Sequence, residues 1–218
     1  MAGETRQSPQ FDAAFREKFA ELVRWRRDVR RFLADPIPSE LVARLLALAS
    51  YAPSVGLSQP WRFVLVETPE RRAAISENFA AANKAALDGY QGERQARYAR
   101  LKLEGLRQAP VHLVVCADEA TAQGAGLGRK TMPETIRYSV VAAIQTLWLA
   151  ARAEGIGVGW VSILDPEAVR ETLDLPSGWS FVAYLCLGWP QEEHEDPELE
   201  RHGWEKRQCE ASVKPLVR

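Results

Sequence analysis

The chain has 218 residues, 46% of them hydrophobic and 26% charged, a composition typical of a globular protein with a substantial core. Its formal net charge of −1 argues against a nucleic-acid binder held by a general positive field. No run approaches the ~18 apolar residues of a membrane helix, and the first residues lack an apolar signal core, so we expect no membrane partner and a cytoplasmic location.

Two helices and a strand are predicted in the first third of the chain, on either side of an arginine-rich segment. Apolar residues near helical spacing predict an amphipathic helix over residues 11–25. Ser39 suits the N-cap of a second helix over residues 40–51. A turn-rich loop at 52–60 then leads to a predicted strand at 61–66.

Residues 25–32, Trp-Arg-Arg-Asp-Val-Arg-Arg-Phe, place four arginines around one aspartate, Asp28. Arginine presents a planar fork of donors that suits phosphate. If the backbone is extended here, Arg26, Asp28 and Arg30 point to the same face. The segment therefore predicts an acid between two phosphate ligands, and the alternative is a solvated charge run with local ion pairs.

The middle of the chain is predicted to hold a long helix, a buried strand and a loop. Residues 69–106 are rich in alanine and charge and predict a helix that softens around 88–92. The continuous apolar run at 111–116 predicts a strand in the interior of its sheet. Three glycines in five residues make 118–133 a predicted mobile loop.

The last third is predicted to contain the most apolar helix of the chain, at residues 135–153. Because it is apolar around so much of its circumference, we expect it to be buried in the core or at a subunit interface. Strands at 158–163 and 181–187 flank a short helix at 165–173, and the polar residues 191–218 predict an arm over a surface or a neighbouring subunit. Strands alternating with helices imply an α/β or α+β sandwich.

The loop before the first strand carries polar side chains suited to a flat heterocycle. Ser54, Ser58 and Gln59 offer hydroxyl and amide groups, and Gly56 allows close approach of the backbone. An ordinary helix-to-strand connection is the alternative. Together with the arginine segment one helix upstream, the loop indicates a phosphorylated, planar cofactor.

Two glycine-containing stretches do not fit nucleotide-binding motifs. The glycines at 155–159 follow a predicted helix and precede a strand, whereas a Rossmann turn needs the reverse order. At 128–131 an inserted arginine breaks the Gly-Lys-Thr junction of a P-loop.

The remaining chemical side chains favour structural roles, with one exception. The three histidines lack metal-ligand spacing, and His112 is predicted to be a hydrogen-bonded core residue. Cys116 and Cys186 lie in apolar runs and are predicted to be buried thiols. Ser162 lacks the Gly-x-Ser-x-Gly elbow of a hydrolase, but it suits a hydrogen bond to a ligand at the end of a strand.

These motifs together resemble the FMN-binding nitroreductase-like flavoprotein superfamily. The shared pattern is Arg-Arg-x-x-Arg at 26–30, a helix, and Ala-Pro-Ser-x-x-x-Ser-Gln-Pro-Trp at 52–61. Ordinary members more often have serine where this chain has Asp28. That residue, with Gly-Trp-Val-Ser-Ile-Leu at 159–164, resembles instead the members that make 5,6-dimethylbenzimidazole. The resemblance spans about residues 19–204.

The resemblance implies site residues at the matching positions and no metal. Asp28 would be the general acid–base group, and Ser162 would donate a hydrogen bond near the oxygen-reacting face or the sugar chain. The residues implied as ligands of the FMN phosphate, ribityl chain and flavin are Arg26, Arg27, Arg30, Ser54, Ser58, Gln59, Trp160, Val161, Ile163 and Arg201.

The resemblance also implies a fold and an assembly. The expected class is α+β: a nitroreductase-like sandwich with a central, mostly antiparallel sheet flanked by helices. An extended C-terminal arm at 191–218 and a domain-swapped homodimer with two flavin sites at its interface are expected too. The whole chain, 1–218, would be one FMN-binding domain, with a lid at about 88–133 that shields oxidised intermediates from water.

The implied reaction consumes FMN. Reduced FMN and oxygen would give 5,6-dimethylbenzimidazole, the lower ligand of vitamin B12, and erythrose 4-phosphate. NAD(P)H would supply electrons directly or through a separate flavin reductase. Two alternatives stay open, namely an NAD(P)H-dependent nitroreductase or flavin reductase that releases intact FMN, and a flavin-binding protein without chemistry of its own.

Overall fold

The computed structural model describes residues 8–208 and 215–217. A 3-10 turn, Val55–Leu57, lies in the loop before the first strand. The helices and strands, in chain order, are α1 (Ala13–Trp25), α2 (Ser39–Ala49), β1 (Trp61–Leu65), α3 (Pro69–Asp88), α4 (Gly92–Tyr98), β2 (Val111–Asp118), α5 (Thr135–Ala153), β3 (Gly157–Val161), α6 (Pro166–Thr172), β4 (Trp179–Gly188) and α7 (Glu198–Arg201).

The four strands form one antiparallel sheet in the order β1-β2-β4-β3. β2 and β4 lie in its interior, paired from Val111 opposite Leu187 to Asp118 opposite Trp179. Helices cover both faces, because α2 and α5 pack on one core layer and α3 and α6 on the other. The predicted α+β class, with an antiparallel sheet between helices, is therefore confirmed.

α5 supplies the centre of one core layer. Burial of each of its larger apolar side chains stabilises the fold by about 1.5–3 kcal/mol. The bounds and the burial predicted for this helix are confirmed. One face lies against the sheet, through residues that recur every three or four positions: Ile136, Val140, Ile144, Leu147 and Ala151.

The region between β1 and β2 differs from the prediction. The single helix expected over 69–106 is two helices, α3 and α4, because Gly92, with φ of 57°, interrupts it. Residues 99–110 are not helical. Gly105 of this stretch lies so close to Phe32 that a Cβ would be 2.3 Å from the aromatic ring. Packing against a residue far away in sequence sets this conformation, so helical propensity alone mispredicted it.

Three predictions about buried side chains are confirmed. His112 is buried, and its Nδ1 lies 2.8 Å from the hydroxyl of Tyr184. Burial, together with the charge of Arg72, lowers the pKa of His112 to about 4, so the ring is neutral at pH 7. Cys116 and Cys186 are free and buried, and burial raises the pKa of Cys116 to about 11.

The arginine segment runs along β3, the edge strand. The backbone N–H of Val29 donates to the carbonyl of Val158 at 3.0 Å. Gly159 permits this approach, because a Cβ there would lie 2.1 Å from the carbonyl oxygen of Val29. The contact carries Asp28 to the outer side of β3, opposite β4.

α1 and the tail lie at the periphery. Asp12 caps α1, which begins two residues later than predicted and has no buried residue. The tail folds back on its own chain, where the ring of Trp204 packs edge-on against Tyr90 and Tyr98. Residues 209–214 and 218 of the predicted arm lie outside the described residues. In the part of the chain that the structure describes, no helix is long and apolar enough to cross a membrane.

Candidate functional site

Asp28 lies between a backbone donor and a guanidinium. β3 is an edge strand, so its outward N–H groups are free to bond the arginine segment. Oδ1 of Asp28 accepts a hydrogen bond from the backbone N–H of Trp160 at 2.8 Å. Oδ2 accepts from Nε of Arg30 at 2.9 Å and lies 2.8 Å from its Nη2. Protein donors therefore fix both oxygens of the carboxylate.

Opposing effects set the protonation of Asp28. Burial raises its pKa, whereas the charge of Arg30, the N–H of Trp160 and the charge of Arg26 lower it, and burial is the larger effect. The side chain still exposes 32% of its surface, and it lines a pocket between the arginine segment and the tail. A carboxyl group with a raised pKa that a ligand can reach suits general acid–base chemistry.

Two guanidiniums of the arginine segment, Arg26 and Arg27, precede Asp28 in the chain, and the charge of Arg207 in the tail acts on both. Within residues 8–208 and 215–217, none of the three has a carboxylate oxygen within 4 Å. Arg26 stacks on Trp148, 4.8 Å from the ring centroid, and Nε of Arg27 is buried with no hydrogen-bond partner among those residues. Burial lowers the pKa of Arg26 and of Arg27, and the charge of Arg207 lowers both further. The charge of Asp28 opposes this shift in the pKa of Arg26, and the charges of Asp196 and Glu195 oppose it in that of Arg27. Three like charges in this setting would be stabilised by a bound anion.

Two other predicted arginines are already paired. The guanidinium of Arg30 contacts Asp28, and Nη1 of Arg201 lies 3.1 Å from the carboxylate of Asp196. The pocket wall brings together Arg27, Asp28, Arg30 and Arg201, four of the residues that the sequence predicted. The four charged side chains thus line one pocket, but Asp196 of the tail neutralises the charge of Arg201.

Sequence reasoning missed Arg207. The residue predicted from the tail was Arg201. The tail contains several lysines and arginines, and their spacing does not show which of them reaches the arginine segment. The adjacent pair Lys206 and Arg207 is a signal that was available, because two neighbouring cations follow the acidic stretch of the tail.

The loop between α2 and β1 holds the second set of predicted residues. Oγ of Ser54 accepts a hydrogen bond from the backbone N–H of Gln59 at 3.1 Å. Ser58 is buried, and its Oγ has no hydrogen-bond partner in the described part of the chain. Leu57 and Gln59 have φ angles of 54° and 42°, a left-handed conformation that costs a non-glycine residue roughly 1–2 kcal/mol. Backbone strain beside an unsatisfied hydroxyl is typical of a ligand site.

Within one chain this loop and Asp28 lie at opposite edges of the sheet. The loop leads into β1, whereas Asp28 lies outside β3. Three strand spacings of about 4.8 Å put the two edges about 14 Å apart. No hydrogen bond between described residues joins the two sets.

The residues predicted at the end of β3 are dispersed. Trp160 binds Asp28 through its backbone, and its ring centroid lies 6.4 Å from that of Trp148. The side chain of Val161 is buried in the core layer that faces away from α5, so only its backbone can meet a ligand. Ser162 is exposed and makes no side-chain hydrogen bond with any described residue, and Ile163 is half-buried. No group of acidic, histidine or cysteine side chains in the described ranges could hold a metal ion.

Comparison with known proteins identifies what this chain is similar to. The model of the nitroreductase family matches residues 23–189. A 5,6-dimethylbenzimidazole synthase of Rhodospirillum rubrum is 62% identical over 202 residues, which cover 93% of this chain and 96% of that protein. A 5,6-dimethylbenzimidazole synthase of Rhodobacter capsulatus is 48% identical over 196 residues, with coverage of 90% and 95%.

Solved structures share the fold. The crystal structure of oxidised iodotyrosine deiodinase bound to FMN and 3-iodo-L-tyrosine superposes with a TM-score of 0.71 at 24% sequence identity. The match covers 92% of this chain and 97% of the deiodinase chain.

Proposed function

This chain belongs to the nitroreductase family, and on that basis we propose that it is a 5,6-dimethylbenzimidazole synthase. The reaction is the oxygen-dependent fragmentation of reduced FMN to 5,6-dimethylbenzimidazole and erythrose 4-phosphate. The observation that carries the proposal is the partly buried carboxyl of Asp28 beside Arg26 and Arg27, which have no carboxylate partner among the described residues, in a chain 62% identical to an enzyme of that name.

The arginine segment fits the phosphate of FMN. Arg26, Arg27 and Arg207 offer guanidinium forks that no described carboxylate occupies, and a phosphate dianion would relieve their mutual repulsion. The buried, unpartnered hydroxyl of Ser58 fits a polar edge of the flavin. The deiodinase, whose crystal structure has the same fold and is bound to FMN, supports a flavin as the ligand.

Asp28 holds or moves a proton beside the sugar chain. When bound, reduced FMN supplies the electrons that oxygen takes up and the ribityl carbon that becomes C2 of the benzimidazole. The N–H of Trp160 takes one lone pair of Oδ1 and leaves the other open to a ligand, whereas two nitrogens of Arg30 lie against Oδ2. Because burial raises the pKa of this carboxyl, it exchanges its proton closer to neutral pH than an exposed aspartate does. Ser162 has a free hydroxyl for a further hydrogen bond near the reacting atoms.

A homodimer would complete the site. The loop with Ser58 and the segment with Asp28 lie at opposite edges of one sheet, so a flavin that contacts both sets is held between two copies. Large apolar side chains that are more than half exposed support such an interface: Tyr51, Leu57, Leu127 and Tyr138.

The lid and the electron source belong to the same proposal. The range 88–133 includes the interior strand β2, so the lid comprises the segments at 88–110 and 119–133 on either side of it. A separate flavin reductase, or NAD(P)H used directly, provides reduced FMN.

Product analysis of the purified protein with reduced FMN in air tests the proposed function. We expect 5,6-dimethylbenzimidazole and erythrose 4-phosphate by mass spectrometry, with loss of FMN in proportion. Steady oxidation of added NAD(P)H with intact FMN would instead make the protein a nitroreductase or flavin reductase. Simple reoxidation to FMN, without a new product, would make it a flavin-binding protein.

A further inference from the structure

The guanidinium of Arg30 is saturated by protein acceptors. Its Nε and Nη2 contact Oδ2 of Asp28, at 2.9 and 2.8 Å. Its Nη1 donates to the backbone carbonyl of Lys102 at 3.0 Å. Only 13% of the side chain is exposed, so every nitrogen of the fork is engaged within the protein.

This arrangement contrasts with that of the neighbouring arginines. Arg26 and Arg27 have no carboxylate within 4 Å among the described residues, whereas Arg30 has one against two of its nitrogens. A phosphate that bound Arg30 would have to displace Asp28 from the guanidinium. The carboxylate of Asp28 would then lose the charge of Arg30, which is the largest of the effects that offset the cost of its burial. Phosphate binding at Arg26 and Arg27 carries no such cost.

We propose that Arg30 is a positioning residue for Asp28 rather than a ligand of the FMN phosphate, an inference that rests on the proposed function. Its fork orients the carboxylate from one side, while the Trp160 N–H holds the other oxygen. Without Arg30, Oδ2 of Asp28 has no partner among the described residues. The carboxylate is then held only by the hydrogen bond from the Trp160 N–H to Oδ1 and can change its orientation.

Arg30 also joins Asp28 to the segment between α4 and β2. The carbonyl of Lys102 accepts from Arg30, and Nζ of Lys102 pairs with Glu104 at 3.1 Å. Gly105, next along the chain, abuts the ring of Phe32. This segment is part of the proposed lid, so the orientation of Asp28 depends on how the segment is placed.

The charges facing Asp28 predict how its titration responds to Arg30. Arg30 and Arg26 of its own segment lower its pKa, and the thiol of Cys186 on β4, across β3, is within electrostatic range. Burial raises the pKa of Cys186 above its ordinary range, so this thiol is neutral and does not compensate for a lost guanidinium. Arg30→Gln therefore raises the pKa of Asp28 further.

The test compares Arg30→Gln and Arg30→Lys with Arg27→Gln and with Arg71→Lys. Arg71 on α3 forms an exposed ion pair with Asp174, which follows α6, so it controls for a change in a similar contact elsewhere. Anaerobic titration gives the affinity for reduced FMN, and product formation at saturating FMN gives the rate. NMR of carbon-13-labelled aspartate carboxyls, assigned with Asp28→Asn, gives the pKa of Asp28.

For Arg30→Gln we expect a rate at least about 10-fold lower, an affinity within about threefold of wild type, and a pKa of Asp28 higher by about 1 unit or more. Arg30→Lys should recover part of the rate, because it restores the charge but not the fork. Arg27→Gln should mainly weaken affinity, and Arg71→Lys should change neither quantity.

The proposal is overturned if Arg30→Gln weakens affinity as much as Arg27→Gln while the rate at saturation and the pKa of Asp28 stay unchanged. A wild-type protein that makes no 5,6-dimethylbenzimidazole would contradict the proposed function instead. The affinity and the pKa of Asp28 are then still measured, and an unchanged pKa in Arg30→Gln would reject the positioning role separately.

Discussion

The proposed chemistry centres on one carboxyl that is partly buried yet open to a pocket. Asp28 keeps 32% of its side-chain surface exposed, and its two oxygens are fixed by Trp160 and Arg30. A serine at this position would offer a hydroxyl that does not titrate at neutral pH. The aspartate therefore brings a proton-exchanging group to the proposed flavin site.

The raised pKa of Asp28 predicts a pH dependence of stability. The ordinary pKa of an aspartate is 3.8, and that of Asp28 in the folded protein is higher. At pH values above 3.8 the folded protein therefore binds the proton of Asp28 more tightly than the unfolded chain does. The free energy of unfolding of wild type, minus that of Asp28→Asn, should therefore fall as pH rises from about 4 through the folded pKa. Urea unfolding of both ligand-free proteins across this range measures the difference. If this difference in the free energy of unfolding rises with pH instead, the charge of Arg30 lowers the pKa of Asp28 more than burial raises it.

The assignment of Arg207 to the anion site predicts a specific loss of affinity. Arg207→Gln should weaken binding of reduced FMN about 10-fold, because a charged hydrogen bond contributes about 1.5–3 kcal/mol. Arg201→Gln is the matched control, since Asp196 already pairs with that guanidinium. We expect less than about a threefold change for Arg201→Gln in the same anaerobic titration, and the reverse order would restore Arg201 as the phosphate ligand.

Among the secondary structure elements, the edge strand β3 determines where the site lies. The carbonyl of Val158 accepts from Val29, the N–H of Trp160 donates to Asp28, and Gly159 lets the segment approach. A methyl group at 159 would meet the carbonyl of Val29, so the segment and Asp28 would have to move outward together.

Gly159→Ala should therefore destabilise the protein by about 1–3 kcal/mol and lower product formation. Gly178→Ala is the control, because a Cβ there meets only Ala120 at 3.7 Å, an ordinary contact. Urea unfolding and the product assay measure both variants. Equal stability and activity for the two would show that the arginine segment does not depend on close contact with β3.

Sequence patterns predicted these elements where local signals decide the structure. α5 was predicted with its observed bounds, because its apolar periodicity and the glycine after it are both local. Residues 99–106 were predicted wrongly as helix, since their conformation depends on contact between Gly105 and Phe32. Arg207 was missed for the same reason, because its neighbourhood is formed by folding of the tail and not by spacing.

For the whole molecule, the placement of the two residue sets predicts a shared site. Asp28 and the loop with Ser58 lie at opposite edges of the sheet, which are themselves about 14 Å apart, so we assign them to opposite sides of a flavin held between two copies. Sequence could predict both sets, but it could not show that they occupy opposite edges, because strand order depends on pairing between distant segments.

Disrupting the proposed interface should therefore remove flavin binding. Tyr138, 59% exposed on α5, is a test position, and Tyr138→Glu should convert the dimer to a monomer that binds reduced FMN at least about 10-fold more weakly. Glu77→Lys, exposed on α3 at the other face, is the control for a charge change. Sedimentation and anaerobic titration measure both. A monomeric wild-type protein with full affinity would contradict the shared site.

The central claim is that Asp28 makes this protein consume FMN, and a single-turnover assay with FMN labelled in its ribityl chain by carbon-13 tests it most directly. Wild type should convert reduced, labelled FMN in air to 5,6-dimethylbenzimidazole that carries one labelled carbon. Asp28→Asn should bind reduced FMN within about threefold of wild type but form at least about 100-fold less of that product. Undiminished product from Asp28→Asn, or labelled FMN returned intact by wild type, would contradict the account.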